Sequence, residues 1–437
     1  MVGSCAGIIT QFKDTVSSQE TVSSRKWDYA SSVTMTKNYP PSIIGTQPGS
    51  WSHISVKDRL PVIAQRVIEE NQFSSEINHN LQQLKEEIPN KSIRQLKDQD
   101  APDHKSWQKY IQPYLGKNWL AVPWFFVETY FYRRIIEAVD YFNFQQDPFE
   151  YQKRQGLERT IGDTASLAKF LAERLENPGK VENILRDGLY FSLWGNQADL
   201  SLWPAGSDAD PRNDSRKTLK EHLLANDIKQ VLRVFNKADL PVKQVDIMLD
   251  NAGFELVSDL ALADILLSHG LVDQVILHVK VHPTFVSDVI EGDLEKTIQF
   301  LTGSEDDDTI QLGKRLETLV KENRIRIKDH YFWTSPLAMW DLPLDIREDL
   351  KGSSLLISKG DANYRRILGD REWDFTEGFH TIVDYLPVPL VALRTLKSEL
   401  AVGLDLDQIQ FVFNQDPKWM IDGKWGVIHF SPRAKDE

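Results

Sequence analysis

The stretch from residue 244 to residue 281, QVDIMLDNAGFELVSDLALADILLSHGLVDQVILHVKV, restricts the fold more than any other part of the sequence. Apolar side chains alternate up to Leu249, which predicts a short buried strand. Residues 255–270 then carry an apolar stripe at helical spacing and end in Gly270, which suits a helix C-cap. A second apolar run, 274–281, follows directly. Strand, helix and strand within about 40 residues predict a βαβ crossover, and therefore a parallel sheet covered by helices.

Further strands are predicted after this unit, and helices before it. The later strands are predicted at 324–332, 353–361, 389–395 and 424–430. From Val56 to about Phe235 apolar residues recur at helical spacing, and Pro123 begins an aromatic-rich helix. We predict an α/β chain: a Rossmann-like αβα sandwich with a mostly parallel sheet in the C-terminal half, preceded by an α-helical N-terminal domain. The predicted parts are an irregular arm at 1–45, a helical domain at 46–238 and an α/β catalytic domain at 239–437.

Charge and cysteine content exclude several classes of protein. The chain has 437 residues, with 51 Lys and Arg against 64 Asp and Glu, so its net charge is -13. This acidic balance argues against a nucleic-acid partner. The only cysteine is Cys5, which rules out an intramolecular disulfide and suits a reducing compartment. We find no signal peptide and no apolar run long enough for a membrane span. The expected location is the cytoplasm, with nuclear access and oligomeric state left open.

Acidic and amide side chains follow three of the predicted strands. Asp250 and Asn251 come after the first strand, Asp288 after the second, and Asp361 after a later one. Because ligands of open α/β sheets bind beyond the carboxyl ends of the strands, these side chains converge if the strands are neighbours. Carboxylate and amide oxygens suit a divalent cation such as Mg²⁺ or Mn²⁺, with positions left for water and a substrate phosphate.

Residues 250–253 also allow other interpretations. Asp250 or Asn251 alone could cap the helix that begins near Phe254. A haloacid-dehalogenase-type phosphatase needs a second Asp two positions after the first, where this chain has Ala252. A Rossmann methyltransferase needs a glycine-rich turn after its first strand, and Gly253 alone is a poor substitute.

Four motifs, in this order, resemble the metal-dependent damage-control phosphatase family, formerly a domain of unknown function. They are DNAGFEL (250–256), HPTFVSDV (282–289), KGDANYRRILGD (359–370) and RTLK (394–397). The last matches the RTxK motif of the family's third subfamily, one of whose members has also been described as an acidic-residue methyltransferase. KDRLPVI, YFYRRI and SLWGNQADLSL extend the resemblance over nearly the whole chain from about residue 45.

The resemblance implies a phosphatase that acts on small phosphorylated metabolites, including sugar phosphates such as fructose 1-phosphate. It implies that Asp250, Asn251 and Asp288 hold Mn²⁺, Co²⁺ or Ni²⁺, and Mg²⁺ suits the same ligands. Lys397 would meet the phosphate, and Glu255 would lie against the substrate. The full set of implied substrate contacts is Asp250, Asn251, Glu255, Asp288, Asp361, Ala362, Asn363, Tyr364, Arg365 and Lys397.

Physical chemistry suggests a role for several of these residues. Lys397 would act as a point charge on the phosphate, and Arg365 could make a forked contact with phosphate or sugar hydroxyls. Asp288 or Asp250, beyond ligation, would orient the attacking water. An aspartyl-phosphate intermediate on Asp250 stays open. Gly253 would let the backbone turn tightly beside a helix N-terminus that favours anions.

Weaker candidates lie elsewhere in the chain. Asn196 and Asp199, in LWGNQADLS, would lie at the mouth of the site if the resemblance extends to them. Glu128 and Arg133 sit in an aromatic-rich helix, where buried salt bridges are the expected outcome. We expect Asp370 to be structural.

The sequence thus predicts a metal-dependent phosphatase of small metabolites with no nucleic-acid or membrane partner. Two alternatives remain. One is an S-adenosylmethionine-dependent protein carboxyl methyltransferase, which the missing glycine-rich loop disfavours. The other is a non-catalytic sensor that binds a sugar phosphate without turnover.

Overall fold

The computed structural model describes residues 39–177, 179–195, 221–237 and 240–433, in which seven strands form one sheet. The strands are β1 Leu223–Asn226, β2 Val242–Met248, β3 Val272–Val279, β4 Ile325–Asp329, β5 Leu355–Lys359, β6 Leu390–Thr395 and β7 Gly426–Ser431. Their order across the sheet is β1-β7-β6-β5-β2-β3-β4. Neighbouring strands are parallel except β6 and β7, which are antiparallel. The predicted α/β class is confirmed, and all six predicted strands are present; β1 was not predicted.

Helices surround this sheet. The α-helices among the described residues are α1 Trp51–Ile54, α2 Leu60–Glu70, α3 Ser75–Glu87, α4 His104–Ile111, α5 Trp124–Ala138, α6 Tyr141–Phe144, α7 Glu150–Glu158, α8 Ile161–Glu176, α9 Val181–Trp194, α10 Ile228–Lys237, α11 Phe254–Ser268, α12 Glu291–Thr302, α13 Asp307–Lys321, α14 Leu344–Lys351, α15 Gly360–Leu368, α16 Phe379–Val383 and α17 Leu406–Gln415. A π-helix covers Ser55–Arg59, and 3₁₀ turns cover Gln112–Tyr114, Trp119–Ala121, Tyr331–Thr334 and Met339–Asp341. None of the helices in the described part of the chain is long and apolar enough to cross a membrane.

The two faces of the sheet belong to two different cores. Met248 and Leu356 lie in a core shared with helices α2 to α5 and with α15. Ile247 and Leu355, each one residue earlier, lie in the other core with α8, α9 and α11. Successive residues of a strand point to opposite faces, so a central strand covered on both sides has no row of side chains left for solvent.

Local signals explain where several elements begin and end. Helix α5 starts directly after Pro123, and Gly270 adopts φ 64° just beyond the end of α11, as the sequence predicted. Strand β4 ends at Asp329 rather than at the predicted residue 332. Its end is set by His330, whose side chain accepts a hydrogen bond from the Phe332 N–H and so starts a 3₁₀ turn. The division of the chain into three parts stays a prediction.

Candidate metal and phosphate site

The strand order brings the predicted site residues to one edge of the sheet. Strand β2 lies between β5 and β3, so the loops after these three strands are neighbours. Asp250 follows β2, Asp288 lies in the loop after β3, and Asp361 is in the first turn of α15 after β5. The expectation that these strands are adjacent is confirmed. Helices α11 and α15 both begin at this edge, so their free N–H groups face the same region.

Backbone hydrogen bonds tie the loop after β2 to the loop after β3. Asn251 and Asp288 form an isolated antiparallel bridge. The Val289 N–H donates to the Asp250 carbonyl at 2.9 Å, and the Ala252 N–H donates to the Ser287 carbonyl at 2.7 Å. The side chains of this bridge are therefore fixed relative to each other before any ligand binds.

The amide of Asn251 is held in one orientation. Its Nδ2 donates to Asp250 Oδ2 at 2.7 Å and to Glu255 Oε2 at 2.9 Å. Its Oδ1 accepts from Ser287 Oγ at 2.6 Å. Both amide hydrogens are used, and the oxygen keeps a lone pair. Asp250, Asn251 and Asp288 are called the strand-edge cluster below.

Two glycines make room for this cluster. Gly360 adopts φ +78°, and a Cβ at this position would lie 1.8 Å from Asp250 Oδ2. Gly253 adopts φ +79° and packs against the backbone of Gly156 in α7. Both conformations strongly favour glycine, so the two turns are possible only with the residues the sequence has there.

The negative charge of the carboxylates in the strand-edge cluster is only partly balanced by nearby lysines. Asp250 is buried, and its Oδ1 has no hydrogen-bond partner among the described residues. Burial, Asp288 and Glu255 together raise the pKa of Asp250 well above its usual value. Burial also raises the pKa of Asp288 to about 6, although Lys280 Nζ lies 3.3 Å from Asp288 Oδ2. A bound cation would remove this imbalance.

The residues present fit a divalent metal ion. The cluster offers two carboxylates and an amide oxygen, which are ligands that Mg²⁺, Mn²⁺, Co²⁺ and Ni²⁺ accept. An unpartnered buried oxygen on Asp250 is costly without a cation and useful with one. The Asp250 carboxylate itself packs against Gly360, where a Cβ would clash with Oδ2.

A second group of acidic residues is compact and holds an internal cation. Asp147, Glu150 and Asp293 have carboxylate oxygens within 4.8 Å of one another. Lys153 Nζ lies 2.9 Å from Asp147 Oδ2 and 2.7 Å from Asp293 Oδ2, so an ammonium already occupies the position of a cation. Burial opposes the charge on Lys153, but the two aspartates raise its pKa above the usual value. This group is called the lysine-filled cluster below.

A surface cleft of about 730 Å³ lies beside the lysine-filled cluster. Asp147 and Glu150 line it, together with Arg154 and Asp329. Of the residues around the strand-edge cluster, only Lys280 contributes to its wall. The cleft is therefore not where the predicted ligands converge.

Asp361 and the RTLK motif form one unit. Asp361 Oδ1 accepts from Arg394 Nε at 2.7 Å, from the Lys397 N–H at 3.1 Å and from Ser398 Oγ at 3.0 Å. Burial alone would raise the pKa of Asp361, but Arg394 and Arg365 hold it below its usual value. Asp361 thus orients the motif and remains ionised.

Lys397 differs from the other cations of this region. Its side chain is half-buried, and no described residue forms a hydrogen bond or ion pair with its ammonium. It is nevertheless close enough to Asp250 to lower the pKa of that carboxyl. A free ammonium beside the strand-edge cluster is available to an anion.

Three other predicted substrate contacts have their side chains engaged inside the protein. Asn363 Nδ2 donates to the Leu249 carbonyl at 3.0 Å, and Tyr364 Oη is 3.1 Å from His429 Nδ1. Arg365 binds both oxygens of Asp370, at 2.7 and 3.1 Å. Its guanidinium also lies 2.5 Å from a buried glutamate, Glu128. Ala362, next to them, is half-buried. A forked contact from Arg365 to substrate stays a prediction, and it would require the pairing with Asp370 to open.

Several weaker predictions can also be placed. Glu128 and Arg133 are buried and ion-paired, with Arg365 and with Asp103 respectively, as expected for that helix. Asp370 is structural, as expected, because it fixes Arg365. The two candidates for the mouth of the site, Asn196 and Asp199, lie outside the described residues.

The sequence interpretation missed two buried lysines beside the strand-edge cluster. Lys280 Nζ approaches Asp288, the Leu249 carbonyl and Asn363 Oδ1. Lys359 contacts Glu255. The signal that could have revealed them is their position at the ends of strands that are buried on both faces, where a charged side chain must find an opposite charge.

Comparisons with known proteins show which family the chain resembles. Residues 55–410 match the model of the family described as the damage-control phosphatase ARMT1-like domain. The Danio rerio protein named damage-control phosphatase ARMT1 is 34% identical to this chain, and the match covers 91% of this chain and 98% of that protein. The Mus musculus and Homo sapiens proteins of the same name are each 32% identical, and each match covers 90% of this chain and 98% of the relative. Among solved structures, a DUF89 family protein from Pyrococcus horikoshii matches with a TM-score of 0.43 and 14% identity, over 87% of this chain and 99% of that one.

Proposed function

The chain belongs to the damage-control phosphatase ARMT1-like family, and from this premise we propose that it hydrolyses phosphate monoesters of small metabolites at the strand-edge cluster. It is a phosphatase of a metal-dependent family. The observation that supports the location is the unpartnered Oδ1 of Asp250, a buried carboxylate beside Asn251. Mn²⁺, Co²⁺ or Ni²⁺ is the proposed metal, with Mg²⁺ as a further candidate.

Asp250, Asn251 and Asp288 would hold the metal. When bound, such a cation polarises a phosphoryl oxygen and lowers the pKa of a bound water. Asp288, a buried carboxylate in this site, or Asp250 would accept a hydrogen bond from the attacking water and so orient it. Lys280, 3.3 Å from Asp288, limits the repulsion between that carboxylate and its neighbours.

The phosphate side of the site would be formed by Lys397 and by helix N-termini. The ammonium of Lys397 has no partner among the described residues, so it can neutralise a phosphate without first breaking an ion pair. Helices α11 and α15 begin at the same edge and direct free N–H groups and the positive ends of their dipoles toward it. Phosphoryl transfer needs mainly positioning and charge stabilisation, which these groups supply.

The proposed substrates are sugar phosphates such as fructose 1-phosphate. The resemblance of the four motifs to the family supports this choice. Glu255 also supports it, because its carboxylate beside Asn251 can accept hydrogen bonds from sugar hydroxyls. Asp361 and Ala362, both half-buried in the first turn of α15, would contact the rest of the ligand.

The test is phosphate release by chelator-stripped protein over a panel of sugar phosphates, with Mg²⁺, Mn²⁺, Co²⁺ or Ni²⁺ restored in turn. Asp250→Asn preserves the size of the side chain and removes the charge, so metal-restored turnover should disappear. Asp147→Asn is the matched control, since Asp147 is an equally buried carboxylate outside the strand-edge cluster. Turnover that survives Asp250→Asn would place the chemistry elsewhere.

The same preparation tests the two alternatives from the sequence. Transfer of a methyl group from S-adenosylmethionine to a protein carboxylate, with no phosphate release, would favour the methyltransferase. Tight binding of a sugar phosphate without release, whichever metal is added, would favour the sensor. A phosphorylated peptide containing Asp250 would replace direct water attack by an aspartyl-phosphate intermediate.

A further inference from the structure

Lys359, the last residue of β5, is a buried lysine that the proposed reaction does not use. Its side chain is 1% exposed. Its Nζ lies 3.0 Å from Asp259 Oδ1 and 3.2 Å from Glu255 Oε1. It also donates a hydrogen bond to the carbonyl of Ser192, in the last turn of α9. The three hydrogens of one ammonium thus meet three acceptors from two helices.

The two carboxylates around Lys359 have different surroundings. Among the described residues, Asp259 makes no hydrogen bond or ion pair with the strand-edge cluster, and it accepts from Ser192 Oγ at 2.6 Å as well as from Lys359. Glu255 lies one helical turn earlier on α11, and its second oxygen, Oε2, accepts from Asn251 Nδ2 at 2.9 Å. Glu255 therefore connects Lys359 to a proposed metal ligand, whereas Asp259 connects it to α9.

The orientation of Asn251 is the property that this connection controls. An amide can turn by 180° and exchange its oxygen for its NH₂ group, and only the oxygen binds a cation. Glu255 and Asp250 both accept from Nδ2, so the NH₂ group is held by these two carboxylates, and Oδ1, which accepts from Ser287 Oγ, keeps a lone pair for a cation. If Glu255 moved away, one amide hydrogen would lose its acceptor and the flipped orientation would become accessible.

We propose that Lys359 is a positioning residue for the metal site: it fixes Glu255, and Glu255 keeps the Asn251 oxygen available to a divalent cation. The inference rests on the proposed function, because it assigns a role toward the metal of that site. Groups that orient a metal ligand typically change metal affinity by about 10- to 100-fold. We expect a loss of that size when Lys359 is removed.

The experiment must separate this role from simple neutralisation of Asp259. Lys359→Met alone would leave two buried carboxylates unpaired and could prevent folding. The double variant Lys359→Met/Asp259→Asn removes the ion pair as a whole and leaves Glu255 without its ammonium. Asp259→Asn alone is the matched control, because Lys359 keeps Glu255 and the Ser192 carbonyl as partners.

The measurement is Mn²⁺ affinity in the full chain without substrate, from the electron paramagnetic resonance signal of free Mn²⁺. Folding is checked by cooperative thermal unfolding. We expect Asp259→Asn to bind within about twofold of the wild type, and the double variant to bind about 10-fold more weakly or worse. Equal affinity of these two variants would overturn the proposal.

A second variant keeps the inference testable if the double variant does not fold. Glu255→Met removes both contacts of Glu255 and leaves Lys359 paired with Asp259. It should weaken Mn²⁺ binding by about the same factor, and wild-type affinity in this variant would refute the connection through Glu255. Failure of the metal site itself is recognised separately: wild-type protein would not bind Mn²⁺, or Asp250→Asn would bind as tightly as wild type. In that case the inference falls with the proposed function.

Discussion

The strand-edge cluster and the lysine-filled cluster contain similar acidic side chains, but lysines balance their negative charge to different extents. In the lysine-filled cluster, one ammonium lies within 3 Å of Asp147 and of Asp293. In the strand-edge cluster, Lys280 reaches Asp288 only at 3.3 Å, and Oδ1 of Asp250 has no hydrogen-bond partner among the described residues. The lysine-filled cluster therefore needs no added ion, whereas the strand-edge cluster needs a bound cation to balance its charge.

The comparison shows that the closeness of carboxylates does not identify a metal site. The carboxylate oxygens of the lysine-filled cluster lie within 4.8 Å of one another, yet the cation between them is part of the chain. What distinguishes the strand-edge cluster is an unpartnered buried oxygen on Asp250 and a glycine, Gly360, against which the Asp250 carboxylate packs where a Cβ would clash. Four predictions test or refine this distinction.

Removing the internal cation should make the lysine-filled cluster behave like the strand-edge cluster. Lys153→Met leaves Asp147 and Asp293 buried without a cation to pair with, so the free energy of unfolding should fall by about 3–5 kcal/mol. Added Mn²⁺ should restore part of this loss. Urea unfolding with and without Mn²⁺ measures both effects, in an Asp250→Asn background so that the strand-edge cluster does not contribute. No response to the metal would mean that the geometry, rather than the lysine, keeps cations out.

Filling the space beside Asp250 should disable the strand-edge cluster. In Gly360→Ala the new Cβ would lie 1.8 Å from Asp250 Oδ2, so the carboxylate must move. Displacement of about 1 Å at a reacting centre costs about 100-fold in rate, and we expect at least that loss of turnover. Gly270→Ala is the control: it has φ +64° but open space around the Cβ, so it carries only the backbone cost of about 1 kcal/mol. Similar activity in the two variants would contradict the steric argument.

Metal affinity should rise with pH. Burial raises the pKa of Asp288 to about 6 in the metal-free protein, and the pKa of Asp250 is also raised. A metal must displace these protons, so Mn²⁺ affinity below pH 6 should increase by about tenfold per pH unit for each proton released. In the metal-free protein, the free energy of unfolding depends on pH in the opposite direction. The folded state holds protons that the unfolded chain loses, so this free energy falls as pH rises through 6. A Mn²⁺ affinity that is constant from pH 5 to pH 7 would contradict the raised pKa values.

The smallest effect is expected for Glu150 in the lysine-filled cluster. This residue is paired with Lys296, and both side chains are more than a third exposed. Glu150→Gln should therefore change the free energy of unfolding by less than about 0.5 kcal/mol. Mn²⁺ affinity should not change either. A clear loss of metal binding in Glu150→Gln would show that the lysine-filled cluster holds a metal after all.

The features predicted from the sequence were those carried by local patterns. The six predicted strands, the start of α5 after Pro123 and the end of α11 at Gly270 all depend on a few adjacent residues. The placement of Asp250, Asn251 and Asp288 also followed, since parallel strands that neighbour one another end at the same edge.

The features that were missed depend on residues far apart in the sequence. Lys153 is separated from Asp293 by 140 positions, and Lys359 from Glu255 by 104. Asp370, which forms two hydrogen bonds with Arg365, is close to it in the sequence. The two side chains make contact only because the chain turns back at Gly369, which is in the left-handed conformation. No local pattern states which lysine enters which group of carboxylates, and this is what separates a structural cluster from a candidate metal site.

The position of β1 in the sheet has a consequence for synthesis of the protein. β1 joins the sheet only through β7, which begins about 200 residues later at Gly426. At a translation rate of about 5–20 residues per second, β1 leaves the ribosome roughly 10–40 s before its partner. During that interval β1 has no strand beside it, and towards its end β6 also emerges with one edge open. Nascent chains stopped before residue 426 should therefore be clients of chaperones that recognise unpaired strands, whereas release of the full chain should end that dependence.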